Sequence, residues 1–217
     1  MTNKEYIISD SEKYRSDLIK ITEIENRTGN KYTLMVGINE KLAIAWANII
    51  STDPEVIKWT AEARKRSTST DILQRNKPSE TKNIATYSLW SENKNLAAVS
   101  WYQIWEPGKE EQGLIEKFCG ENNINKPYII TSAFRIVADY RRQGLAGKII
   151  TNTETHYKSY LLAKFKSNDN ILFTLETDEN NIPAVQTYLK NGYKTIGTFD
   201  QPEKESFHGK RLLMAKY

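Results

Sequence analysis

Apolar positions along this chain follow two different spacings, and the change between them divides it. In the first 80 residues they recur mainly at three- and four-residue steps. Leu18, Ile21 and Ile24 predict a helix over 11–24, and 41–50 and 54–65 read as two more. Asp53 is a good N-cap for the last of these, with Pro54 suited to the first helical position. A strand-like run over 32–36 ends at Gly37, and 67–80 reads as a polar loop holding one helical turn. The centre is different. Residues 84–90 and 96–105 are rich in β-branched and aromatic side chains, and Ser-Glu-Asn-Lys-Asn at 91–95 fits a hairpin turn between them. A polar insertion over 106–126, with a short helix near 114–118, precedes an almost wholly apolar or small run over 128–137. Such a run is what a central strand buried on both faces requires.

From residue 141 the elements alternate. A helix over 144–164, a strand over 171–175 and a helix over 181–190 follow, the last closed by Asn191-Gly192. Strands over 193–198 and 211–217 end the chain. Strand, helix, strand, helix, strand implies an α/β sheet that is partly parallel and covered by helices. No internal repeat or linker interrupts it, so 1–217 reads as one domain. Residues 1–80 form a variable, helical N-terminal part, and 84–217 form the core.

Composition changes this picture mainly by exclusion. A chain of 217 residues buries a core without disulfides or metals. With 39% hydrophobic and 27% charged residues it has a soluble globular balance. No apolar run reaches the ~20 residues of a membrane span, and the first ten residues lack the order of a secretory signal. The expected location is cytoplasmic. Cys119 is the single cysteine, without a histidine near it in sequence, and reads as an inert, partly buried thiol. Cysteine and histidine show no metal-ligand spacing. His156 lies on the apolar stripe of its helix and reads as a hydrogen-bonded core imidazole, while His208 reads as a surface residue. The net charge is 31 − 27 = +4. Its densest basic stretch, Arg64-Lys65-Arg66 with Arg75 and Lys77, has no interleaved aromatics. That favours a solvated helix face over a nucleic-acid surface.

The informative element is the junction from Phe134 to Lys148, where an apolar strand ends and a helix begins within a few residues. It holds Arg141, Arg142, Gln143 and the small residues Gly144, Ala146 and Gly147, with Leu145 between them. N–H groups at a helix start lack internal partners and point outward at the positive end of the helix dipole. Small residues let a phosphate approach those amides, and the arginines add permanent charge. This composition describes a diphosphate cradle. A P-loop is rejected, because only two residues separate Gly144 from Gly147 where four are needed, and Ile149 follows Lys148. A Rossmann fingerprint is rejected too, because position 146 is Ala and the loop lies late in the chain.

What remains is Arg-x-x-Gly-x-Ala, met by Arg141, Gly144 and Ala146. It resembles the pyrophosphate-binding signature of the GCN5-related N-acetyltransferase (GNAT) superfamily, Arg/Gln-x-x-Gly-x-Gly/Ala. A second block, Asn181-Ile-Pro-Ala-Val-Gln-Thr-Tyr188-Leu-Lys-Asn-Gly192-Tyr193, resembles that family's Asn-x-x-Ala-x-x-x-Tyr-x-x-x-Gly-aromatic at every marked position. The likeness covers about 84–217. Position 138 departs from it, with Ala where Pro is frequent.

The resemblance implies a mixed, mostly antiparallel sheet of six to seven strands flanked by helices, with splayed, parallel fourth and fifth strands. It implies acetyl-CoA as cofactor, with its arm on the backbones of Ile136 and Val137 and its pyrophosphate on Arg141, Arg142, Gln143, Gly144, Leu145, Ala146 and Gly147. Asn181 would cap the next helix and face the arm. Tyr188 would protonate the departing thiolate, since a phenol near pKa 10 can donate to a thiolate near 8.5. The activity implied is transfer of an acetyl or other acyl group to a primary amine on a small molecule or peptide. The general base stays unassigned among Glu176, Asp178 and Glu106. A competing reading keeps the cradle without chemistry, as a non-catalytic acetyl-CoA-binding sensor or interaction module. The acceptor is not legible, and a homodimer stays open.

Overall fold

A computed structural model describes residues 18–58, 67–76, 83–165, 170–200 and 210–217. Among them eight strands form one sheet: Ile19–Glu25 (β1), Lys31–Val36 (β2), Ile84–Ser91 (β3), Leu96–Ile104 (β4), Tyr128–Ile136 (β5), Ile171–Asp178 (β6), Lys194–Phe199 (β7) and Arg211–Lys216 (β8). Their order is β1-β2-β3-β4-β5-β6-β8-β7. Every neighbouring pair is antiparallel except β5 and β6, which run parallel. Six helices among the described residues flank the sheet: Glu40–Thr52 (α1), Pro54–Lys58 (α2), Ser69–Asn76 (α3), Lys109–Glu121 (α4), Leu145–Phe165 (α5) and Ile182–Lys190 (α6).

Successive strand residues face opposite sides, and the buried clusters follow that alternation. One face carries Tyr102 of β4, Ile130 of β5, Phe173 of β6 and Met214 of β8, covered by Leu145, Ile149, Tyr157 and Leu161 of α5 and Tyr188 of α6. The other face has two separate clusters. Leu42, Trp46 and Ile50 of α1 with Ile72 of α3 cover Trp90 and Val99. Farther along, Ile115, Phe118 and Cys119 of α4 cover Leu172, Leu213 and Ala215. Burial raises the Cys119 thiol pKa, as expected of an inert thiol. His156 is a core imidazole bonded through Nδ1 to Tyr87 Oη at 3.0 Å, and burial lowers its pKa.

Three expectations are corrected. The helix predicted over 11–24 is a strand where it is described, from residue 19 onward; 11–17 lie outside the described residues. A bulge between Lys20 and Thr22 shifts the register of β1 against β2. The extra residue lets Ile19, Ile21 and Ile24 all reach the same core although Ile21 and Ile24 stand three apart. That spacing imitates a helix, and β1 raises the strand number to eight. The predicted loop over 67–80 contains α3, eight residues long. Thr68 and Asp71 cap it reciprocally, Asp71 N donating to Thr68 Oγ1 at 3.2 Å and Thr68 N to Asp71 Oδ2 at 2.8 Å. The insertion helix spans 13 residues rather than five. Residues 59–66, including the densest basic run, and 201–209, including His208, lie outside the described residues.

Candidate functional site

The junction after β5 is built by tying down what would otherwise be loose. Val137 N donates to Ala97 O at 2.9 Å, and Val137 O accepts from Tyr140 N at 2.9 Å. A single 3-10 turn, Ala138–Tyr140, then leads to an extended Arg141. Two left-handed residues follow, Arg142 at φ 61° and Gly144 at φ 78°, before α5 begins. Left-handed residues turn successive N–H groups toward one side and make an anion-binding concavity. Leu145 is buried in the core beneath α5 and anchors the helix start, so only its backbone faces the loop. Arg142 is exposed at the rim.

Asp53 holds this loop from across the fold. It caps α2 as the sequence predicts, Oδ1 accepting from Glu55 N at 3.1 Å and Val56 N at 3.3 Å. Its other oxygen accepts from Ala138 N at 3.1 Å and pairs with Arg141 Nη2 at 2.5 Å. Arg141 Nε donates to Ile136 O at 2.9 Å. The Arg141 guanidinium therefore braces the loop from behind, which departs from the expectation that it adds charge at the mouth. Burial of Asp53 works against its ionisation, but the Arg141 hydrogen bond, the Val56 amide, the Arg141 charge and the Glu55 amide together outweigh that and hold its pKa below the ordinary value.

The turn between β1 and β2 grips the same loop. Gln143 Oε1 accepts from Asn26 Nδ2 at 2.7 Å and Tyr32 Oη at 2.8 Å, while Gln143 O accepts from Arg27 N at 3.2 Å. Lys148 Nζ donates to Glu25 O at 2.5 Å. Gly147 has a packing reason of its own, since a Cβ there would meet Asn191 Oδ1 at 2.9 Å where α5 crosses the end of α6. A Cβ on Gly144 would meet Arg27 Nε at 2.7 Å, in a conformation β-branched residues avoid. Gly144→Val is therefore expected to destabilise the protein by about 2 kcal/mol, checked as a lowered Tm, and to deform the loop.

Beside the loop the sheet opens. Parallel pairing of β5 with β6 runs from Tyr128↔Ile171 to Ser132↔Leu175 and stops, although β5 continues to Ile136 and β6 to Asp178. The far edge of β5 stays paired to β4 up to Ala98↔Ile136. Val137 N points to β4, so by strand alternation the backbone groups of Phe134 and Ile136 point into the opening. Their carbonyls accept from Arg135 Nη1 and Arg141 Nε, each at 2.9 Å. The backbone edge available to a ligand thus consists of the Phe134 and Ile136 amides, and Val137, expected to share that role, is turned inward by its register against β4.

Tyr188 lies under this opening on α6, with its ring centroid 6.1 Å from Phe134 and 5.9 Å from Tyr193. Buried tyrosine hydroxyls usually find a partner. Tyr102 has Thr153 Oγ1 at 2.7 Å, and Tyr193 has Glu154 Oε1 at 2.6 Å. The Tyr188 hydroxyl makes no hydrogen bond to another described residue. Burial raises its pKa, opposed in part by the positive charges of Arg135 and Arg211. At neutral pH it is a phenol with a proton to give. Asn181 caps α6, Oδ1 accepting from Ala184 N at 3.4 Å. On the other face of the opening, strand alternation sets Arg135, Glu176, Asp178 and Arg211 between the two helical clusters. Glu176 Oε2 lies 3.6 Å from Arg211 Nη2, and Asp178 Oδ2 is buried with no hydrogen-bond partner among the described residues. The contacts of Asn26, Arg27 and Tyr32 with Gln143 and the second role of Asp53 were not legible in the sequence. Only the cap of Asp53 left a local signal.

No family model matches the chain, and no curated protein matches it. Solved structures do. The aminoglycoside acetyltransferase AAC(6')-Ib, in complex with ribostamycin and coenzyme A, aligns at a TM-score of 0.60 and 14% identity over 85% of this chain and 92% of its own. RimJ of Mycobacterium smegmatis, in complex with CoA-disulfide, aligns at 0.62 and 11% identity over 90% and 86%. The GNAT domain of PAT from S. lividans aligns at 0.56 and 11% identity over 89% and 96%. The architecture is thus an open mixed sheet with one splayed parallel pair, flanked by helices. The chain has the GNAT fold.

Proposed function

We propose that this chain binds acetyl-CoA and transfers its acetyl group to a primary amine. One observation carries the reading: parallel pairing ends at Ser132↔Leu175, and the opened β5 edge runs directly into the helix start at 141–146. That continuity suits a ligand with an extended amide arm and a diphosphate at one end. The neighbours crystallised with coenzyme A or its disulfide support the same ligand. In this reading the amides around Arg142 to Ala146 hold the diphosphate, while the Phe134 and Ile136 N–H groups pair with the arm.

Mechanistically, the amine lone pair attacks the thioester carbonyl carbon. A β5 amide facing the carbonyl oxygen stabilises the negative charge that develops there. The intermediate collapses by breaking the carbon–sulfur bond, the departing thiolate takes the Tyr188 proton, and the proton shed by the attacking nitrogen returns through solvent to the tyrosinate. The amine must arrive neutral, and Glu176 and Asp178 at the end of β6 are the candidate carboxylates for accepting its proton. A thiol-release assay with acetyl-CoA against a panel of primary amines, aminoglycosides and peptides included, tests the reading. Amine-dependent release of free coenzyme A is expected. Binding of acetyl-CoA with no release for any amine would favour the non-catalytic alternative.

A further inference from the structure

Within the acyl-CoA reading, on which this rests, we infer that Arg27 is a diphosphate ligand supplied by the N-terminal hairpin. Its side chain lies across Gly144, the left-handed residue that precedes α5, with Nε 2.7 Å from where a Cβ would stand. Arg27 is exposed, and its guanidinium makes no hydrogen bond or ion pair with another described residue. Its backbone is fixed instead, because Arg27 N donates to Gln143 O at 3.2 Å. The neighbouring Asn26 side chain is equally fixed, through Gln143 Oε1 at 2.7 Å and by accepting from Thr28 N and Asn30 N at 3.0 and 2.9 Å. An unpaired cation on a fixed backbone beside anion-seeking amides is preorganised for an anion.

Charge bookkeeping on the loop supports the assignment. Arg141 is neutralised by Asp53, so it adds little positive field at the mouth. Arg142 is exposed at the rim, and Arg27 supplies a second unpaired arginine from the turn whose Asn26 grips Gln143, 117 residues later than Asn26 in sequence. A guanidinium presents paired N–H groups that match phosphate oxygens, which a lysine cannot reproduce. The β1–β2 turn thereby becomes one wall of the cofactor site.

The test compares wild type with Arg27→Gln and Arg27→Lys by calorimetry, using acetyl-CoA, its 3'-dephospho analogue and acetyl-pantetheine, which lacks the diphosphate. Arg27→Gln should weaken acetyl-CoA and the dephospho analogue alike, each about tenfold, and leave acetyl-pantetheine and Tm unchanged. Arg27→Lys should recover only part of the loss. Weakening confined to acetyl-CoA would move Arg27 to the 3'-phosphate and overturn the assignment, as would unchanged affinity for all three. Failure of the wild-type protein to bind acetyl-CoA is a separate result that removes the acyl-CoA reading itself.

Discussion

Tyr188→Phe is expected to lower kcat for amine-dependent acetyl transfer about 100-fold while leaving acetyl-CoA affinity and Tm nearly unchanged. The expectation follows from what the hydroxyl does not do. It makes no hydrogen bond to another described residue, so its removal strands no buried partner. The ring keeps its contacts with Phe134 and Tyr193. A purely structural tyrosine would behave differently, with stability and turnover unaffected together or lost together. Loss of kcat at constant Kd and Tm isolates the proton. If turnover is unchanged, the thiolate leaves without this phenol and another group must protonate it.

Asp53→Ala carries the second large effect. The Asp53 carboxylate accepts four hydrogen bonds, two capping the start of α2 and two holding the turn after β5. Removing it leaves the Arg141 guanidinium, whose side chain is only 29% exposed, without its counter-charge. The expected loss is about 3 kcal/mol, a fall in Tm of roughly 6–12 °C. Acetyl-CoA affinity should fall with it, because the loop loses its rear support. The carboxyl is held below its ordinary pKa in the folded chain, so its stabilisation is present above the unfolded value of about 3.9 and is lost as pH falls toward the folded one. Thermal melts across pH should therefore show the acid-side decline of the wild type reduced in Asp53→Ala. Equal acid slopes in the two proteins would mean that the pair contributes no pH-dependent stability.

The parts of this site that sequence made legible are the local ones. Strand, turn and helix start lie within 134–148, and the block from Asn181 to Tyr193 carries its own cap and stop, so short-range chemistry defines both. The hidden parts depend on distant partners. Asp53 reads as a cap because Pro54 follows it, yet nothing near it foretells a bond to Arg141, 88 residues away. The inward turn of Val137 depends on the register of β5 against Ala97, and a one-residue change in that register would exchange the two edges. Strand β1 was obscured by its bulge, which gives a strand the spacing of a helix. Its turn places Asn26, Arg27 and Tyr32 against Gln143, contacts that span more than 100 residues. The segment least legible in sequence therefore forms a wall of the loop at 141–146.

The central claim is that the opened edge of β5 and the helix start beyond it form one continuous ligand surface. A backbone amide NMR titration with acetyl-CoA tests it residue by residue. The amides of Phe134, Ile136, Arg142, Gln143, Gly144 and Ala146 should shift together along one saturable curve, with Val137 much less affected because its N–H is paired to Ala97. Saturable shifts confined to another part of the sheet, or none up to millimolar acetyl-CoA, would contradict it.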